Sequence, residues 1–323
     1  MSTATGVAAA DANRRAGGRR RGHSRGNSRG PVGTRRRATL VAYLFALPFV
    51  LTFSIFMLFP LVSSLALSFT DFTNRDISSP LAVAFVGVDQ YAALFGNDQF
   101  VRSMLNTFYF VGVGIPLTMI VALALAVALN SGISRFRTAF RLGFFAPVVT
   151  SIVAVAVVWR FILQPDGLLN TVIGWAGISG PDWLNDPAWA MPAMILMAVW
   201  RNMGTLMIIF LAGLQHVPQD VLEAAQVDGA SSRQRFFRVT LPILRPTLLI
   251  GAVLLSVGYL QFFEEPFVMT GGGPLDSTLS ISYFTYNQFG FGNYGLASAA
   301  SYILFVAIAL LSIVQFRAFR SKD

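Results

Sequence analysis

Six stretches of this chain are apolar over enough residues to cross a bilayer. They lie near 41–69, 107–129, 142–163, 190–213, 247–263 and 297–316. A membrane helix needs about 20 mostly apolar residues at ~1.5 Å rise each. The fourth window carries one charge, and the fifth is short before Glu264. Composition agrees. The 323 residues are 54% hydrophobic and 12% charged, too little polar surface for a soluble protein of this size. The expected architecture is an all-α integral membrane protein with six transmembrane helices. The first window contains Pro48 and Pro60. Pro60 is expected to end or kink its helix, although membrane helices tolerate Pro better than soluble ones.

The loops orient the chain. Residues 1–40 hold ten Arg. The 130–141 loop holds Arg135, Arg137 and Arg141, and the 214–246 loop holds Arg233, Arg235, Arg238 and Arg245. Arg317, Arg320 and Lys322 close the chain. With six spans, 20 of the 24 basic residues fall on one side, which the positive-inside rule makes cytoplasmic. Both termini then lie inside. Trp159, Trp175, Trp183 and Trp189 gather near the opposite boundary, as in an aromatic belt, although ordinary loop packing also accounts for Trp183. Three segments follow: a disordered Arg-rich tail over 1–40, a membrane domain over 41–316, and a short tail over 317–323. The first tail reads as a topology signal, with anionic-lipid or nucleic-acid binding as alternatives.

Several chemistries are excluded. There is no Cys, and His23 and His216 are far apart, so no thiolate or His-rich metal site forms. The only Lys is Lys322, and no GxxxxGK[ST] motif occurs. If ATP drives this chain, another subunit hydrolyses it. No HExxH pattern is present, and GxSxG occurs only at Gly22–Gly26 and Gly26–Gly30 in the Arg-rich tail, outside every apolar window, which argues against an intramembrane enzyme.

The 214–246 segment is polar and long for a connector. Pro218 suits a helix start, and Gly229 suits a left-handed cap or a close backbone approach. Ser231 and Gln234 fit a capping box for a second helix, which Pro242 is expected to stop. The result is a cytoplasmic helix–turn–helix. DNA binding is disfavoured because both flanks are tethered in the membrane.

Its spacing carries a resemblance. Glu223-Ala224-Ala225, then Gly229, then Val239-Thr240-Leu241-Pro242 resembles the signature of permease subunits of binding-protein-dependent ABC importers. Val239 stands where the family pattern has Ile. The flanking "LAGLQHVPQDVLEAAQVDGASSRQRFFRVTLPILRP", "FVMTGGGPLDSTLSISYFTY" and "GLASAASYILF" are similar to the carbohydrate-uptake, maltose-type branch. The resemblance covers roughly residues 40–320. It implies the type I importer permease (MetI-like) fold in a bacterial cytoplasmic membrane. It implies a second homologous permease in a heterodimer, two cytoplasmic ATPases that hold ATP and Mg, and an extracytoplasmic solute-binding protein. No cofactor would sit on this chain. The module would be a coupling helix: Glu223 contacts the ATPase, Ala224 and Ala225 allow close approach, and Gly229 permits the turn. Asp228, Leu241 and Pro242 belong to the same contact region.

The cargo path is expected around Arg201. It lies near the middle of the fourth window, where snorkelling is hard, with Asn202 beside it and Thr205 one turn on. Arg160, near a boundary, is expected to snorkel. The fifth window brings Tyr259, Gln261 and Glu264, and Glu265 would share a helical face with Gln261. Glu264 and Glu265 could instead be exposed at the outer boundary, or one of them could pair structurally with Arg201. By resemblance these spans line a sugar site. "TGGGP" at 270–274 lacks the Lys and strand of a phosphate loop. It is expected to face outward as a surface turn or, by resemblance, toward the binding protein. The rival reading is a self-sufficient secondary transporter, which predicts inverted repeats and broken spans in corresponding halves. No repeat relates residues 41–163 to 190–316.

Overall fold

The computed structural model describes residues 32–79, 83–130 and 137–319. The tail through residue 31, Arg135 and the last four residues lie outside that set. Two units are distinguished, residues up to Phe59 and residues from Pro60 onward. The first contains α1 (Val32–Phe53) and a π-helical turn at Ser54–Leu58. Helix thus begins within the 1–40 stretch assigned to the tail. The second unit holds the rest: α2 (Phe59–Leu67, but for Phe59), α3 (Asp89–Phe95), α4 (Asp98–Asn130), α5 (Arg137–Val149), α6 (Ile152–Ile162), α7 (Leu168–Trp175) and α8 (Pro187–Gln215). Then come α9 (Gln219–Val227), α10 (Ser232–Arg235), α11 (Leu241–Ile243), α12 (Arg245–Leu260), α13 (Glu264–Met269), α14 (Ile281–Gly290) and α15 (Tyr294–Phe319). One isolated bridge, Thr70 to Phe85, is the sole β pairing among the described residues.

All six apolar windows fall on helix. Four are single helices: Val41–Leu67, Asp98–Asn130, Pro187–Gln215 and Tyr294–Ala318. The other two are bent. Thr138–Val149 meets Ile152–Ile162 at 100°, and Ser232–Ile243 meets Arg245–Leu260 at 66°. Hydropathy averages over such a break and cannot register it. At the first, the ladder stops at Thr150 and Ser151, and Pro147 withholds a backbone donor just before them.

One expectation about proline is corrected: Pro242 does not stop the second module helix, which runs on to Ile243. Pro60, expected to end or kink its helix, does not end it: the helix runs on to Leu67, with a π-helical turn just before the Pro. The same device serves both. A π turn, Ser54–Leu58 or Phe236–Thr240, closes two residues before the Pro. There Phe59 N–H reaches Ser54 O, and Leu241 N–H reaches Phe236 O. An α-helical proline ring meets the carbonyl four residues back. The wider turn moves that carbonyl aside. The actual bend comes at Leu244, which is buried, where Pro246 in the first turn of α12 cannot donate.

The core of the second unit is α4 packed along α8. Phe110, Met194, Met197, Met207 and Phe210 are fully buried there. With no hydrophobic drive between helices in lipid, close approach depends on small residues. Gly204 shows the requirement: a Cβ there would stand 2.0 Å from Phe144 O of α5. Asp186 starts α8 by accepting from Ala188 N at 2.8 Å, with Pro187 in the first turn.

Candidate functional site

A cavity of about 240 Å³ opens beside the middle of α8. Arg201 is 14 residues from either end of that helix, or about 21 Å. Both flanking spans break at this level. Ile152, the first residue of α6, lines the cavity, as does the Gln261–Phe262 link between α12 and α13. Irregular backbone at membrane depth is tolerated where it lines a cavity.

Five of the six residues expected on the path meet here: Arg201, Asn202, Tyr259, Gln261 and Glu264. Thr205 is the exception. It is half-buried and does not line the cavity. Its neighbour Gly204 admits the α5 backbone at that level. Asn202 Nδ2 donates to Ala198 O at 2.9 Å. Tyr259 is buried, and its hydroxyl shares a 2.8 Å hydrogen bond with Thr118. Gly114 leaves room for its ring. Tyr259 is therefore a fixed wall whose polar atom is already engaged.

From sequence, Glu265 is an exposed boundary carboxylate, a face-mate of Gln261 or a structural partner of Arg201, and is not counted among the path residues. The structure buries it to 6% exposure in the same cavity. The helical-face argument that joined it to Gln261 fails, because α12 ends at Leu260 and α13 starts at Glu264. The fresh helix turns Glu265 inward, with Pro266 buried beside it. Neither Glu265 Oε2 nor Arg201 Nε has a hydrogen-bond partner. The adjacent Glu-Glu-Pro, which favours a helix start, was the available signal. Arg160 is exposed in the last turn of α6, consistent with snorkelling. Trp183 Nε1 donates to Asn170 Oδ1 of α7 at 2.7 Å. Among the described residues, no group of three or more His, Cys, Asp or Glu could hold a metal.

The module is closed on itself. Asp228 caps α9 and Gly229 follows at φ +81°. Gly229 N donates to Gln226 O and Ala230 N to Ala225 O, each at 3.0 Å, forming a Schellman motif. Pro218 is the residue before α9 rather than its first turn. The Ser231–Gln234 capping box is present in both directions, at 2.8 and 3.3 Å. Arg235 Nη1 ties the second helix to Gln226 of the first at 2.7 Å. Glu223, Ala224, Asp228 and Gly229 are exposed, while Ala225, Leu241 and Pro242 are half-buried. Leu222 packs against the core and faces the module inward. Val227, 88% exposed at the tip, was not singled out from sequence. An aliphatic side chain between Gln226 and Asp228 was its only mark.

The Gly-rich loop is built rather than slack. Gly271, Gly272, Leu275 and Asp276 all have positive φ. The start of α4 grips it: Arg102 Nη1 donates to Leu275 O at 2.6 Å, and Asn106 Nδ2 to Asp276 O at 2.7 Å and Leu279 O at 3.0 Å. Leu275 stays 77% exposed at the tip.

Residues 91–321 match the family described as "Binding-protein-dependent transport system inner membrane component". Among similar curated proteins, the lactose transport system permease protein LacF of Rhizobium radiobacter is 34% identical, over 90% of this chain and all of its own length. The trehalose/maltose transport system permease protein MalF of Thermococcus litoralis is 32% identical, over 88% and 96%. Among solved structures, a chain of a bacterial alginate ABC transporter, in complex with an alginate pentasaccharide-bound periplasmic protein, superposes with a TM-score of 0.76. It is 25% identical and covers 89% of this chain and 96% of its own.

Proposed function

Because this chain belongs to the family of binding-protein-dependent transport system inner membrane components, we propose that it is the non-catalytic membrane subunit of an ATP-driven importer whose cargo is a sugar. It is a multi-pass inner membrane protein. The observation that carries the reading is the polar cavity at the midpoint of α8, where the α5–α6 and α12–α13 breaks meet that helix and Arg201, Asn202, Gln261, Glu264 and Glu265 come together. Guanidinium, amide and carboxylate groups beside the aromatic Tyr259 are the means by which sugars are held. Relatives named for lactose and for trehalose/maltose support the cargo class.

The remaining parts of the machine follow from the module. Glu223, Ala224, Asp228 and Gly229 would meet a cleft on a cytoplasmic ATPase, which holds ATP and Mg. The π turn at Phe236–Thr240 would pass its motion through Leu241 and Pro242 to α12. A second homologous permease would supply the other half of the path, and two ATPases would close beneath the pair. The loop tip at Leu275 would face an extracytoplasmic binding protein. No cofactor is needed on this chain. Tagged protein should copurify with an ATPase and a second permease, and cells bearing the set should take up a radiolabelled sugar only while ATP is present. Absence of both the copurifying ATPase and the ATP requirement would overturn the reading.

The alternative, a self-sufficient secondary transporter of a small polar solute, predicts inverted repeats and broken spans in corresponding halves; the bends of 100° and 66° fall on spans three and five, which are not counterparts. Uptake that survives ATP depletion and follows an ion gradient would favour it.

A further inference from the structure

Opposite charges that face one cavity inside a membrane ordinarily pair, because an unpaired buried charge is costly. Arg201 and Glu265 line the same cavity, yet Arg201 Nε and Glu265 Oε2 are both buried without a partner. More than nine-tenths of Glu265 is buried. Other polar groups around them are partly used up: Tyr259 OH is bonded to Thr118, and Asn202 Nδ2 to Ala198 O. What the cavity still offers is a guanidinium, which only donates, carboxylates, which only accept, and the Gln261 amide, which does both.

We infer that Glu265 and Arg201 select the hydroxyl edge of an uncharged sugar, and that Glu265 is the residue that excludes sugar acids. The inference rests on the reading of this chain as a sugar-import subunit. A hydroxyl both donates and accepts, so one sugar hydroxyl gives its proton to Glu265 while a neighbouring oxygen receives from Arg201. A neutral ligand satisfies both groups and leaves their charges balanced. A sugar acid adds a third negative charge beside Glu265 and the half-buried Glu264. A cationic solute meets Arg201.

The test uses the complete permease–ATPase complex in nanodiscs, without binding protein, so that selectivity is read at the cavity alone. It is titrated with galactose against galacturonate and with glucose against glucuronate. Wild type should bind the neutral member of each pair about tenfold or more tightly, the scale of a like-charge clash. Glu265→Gln should shrink that ratio by about tenfold, and Glu265→Asp, which keeps the charge, should preserve it. The ratio does not depend on the fraction of complex that is folded, so a merely structural role for Glu265 would leave it in place. Equal affinity of wild type for acid and neutral sugars overturns the inference, as does no binding of any of the four. An unchanged ratio in Glu265→Gln overturns it too. The importer reading is judged separately, by copurification and ATP-dependent uptake.

Discussion

The module over 214–246 and the cavity beside α8 handle polar groups in opposite ways. In the module, the ends of both helices are answered locally: the Schellman bonds at Gly229, the Ser231–Gln234 box, and Arg235 on Gln226. In the cavity, Arg201 Nε and Glu265 Oε2 are left open where leaving them open is expensive. Satisfied groups make a part rigid, which suits the force-transmitting role proposed for it. Unsatisfied buried groups are available to a ligand that completes them.

The contrast can be broken from either side. Arg201→Ala has the largest expected effect, because it removes the guanidinium from a cavity that also holds Glu264 and Glu265 and leaves only carboxylates there, a change on the scale of about 3 kcal/mol or more. Sugar uptake, at matched membrane abundance, should fall by about a hundredfold, and unchanged uptake would remove the cavity from the path. Gly229→Asp comes next. At φ +81° a side chain costs about 1–2 kcal/mol and misdirects the turn. The protein should still reach the membrane, while transport per ATP hydrolysed falls about tenfold in vesicles; normal coupling would show that the turn is not part of the lever. Ser231→Ala removes one cap, worth about 1 kcal/mol. Amide exchange over 232–235 should quicken about fivefold, and no change would mean that the module is held by other contacts. Tyr259→Phe is the smallest. Its hydroxyl is already bonded to Thr118, so the loss, about 1 kcal/mol, should appear in thermal stability rather than as a changed half-saturation for sugar.

The same contrast explains what could be read in advance. The module was legible because caps are local: a Ser three residues before a Gln, or a Gly after a helix, states its own geometry. The spans were legible because a membrane demands a long apolar run. Pro242 misled because a π turn leaves no mark in a residue-type pattern. Glu265 was underrated because its position was counted along an unbroken helix, and one break at Gln261–Phe263 moved it from the boundary into the cavity. Thr205 was overrated for a related reason. Periodicity gives a face, but α5 crossing at Gly204 decides how far down that face the space extends.

The π turn at Phe236–Thr240 has a further consequence for the lever above which it sits. Each residue of an α-helix advances the chain by about 100° around the axis. A π turn spends one residue more than an α turn for the same ring of hydrogen bonds. The compass heading of α9 relative to α12 is therefore fixed by a count of residues as much as by any contact. Deleting one residue between 236 and 240 would set the Pro242 ring against the carbonyl four residues back and would swing Glu223 to a different bearing against whatever engages it.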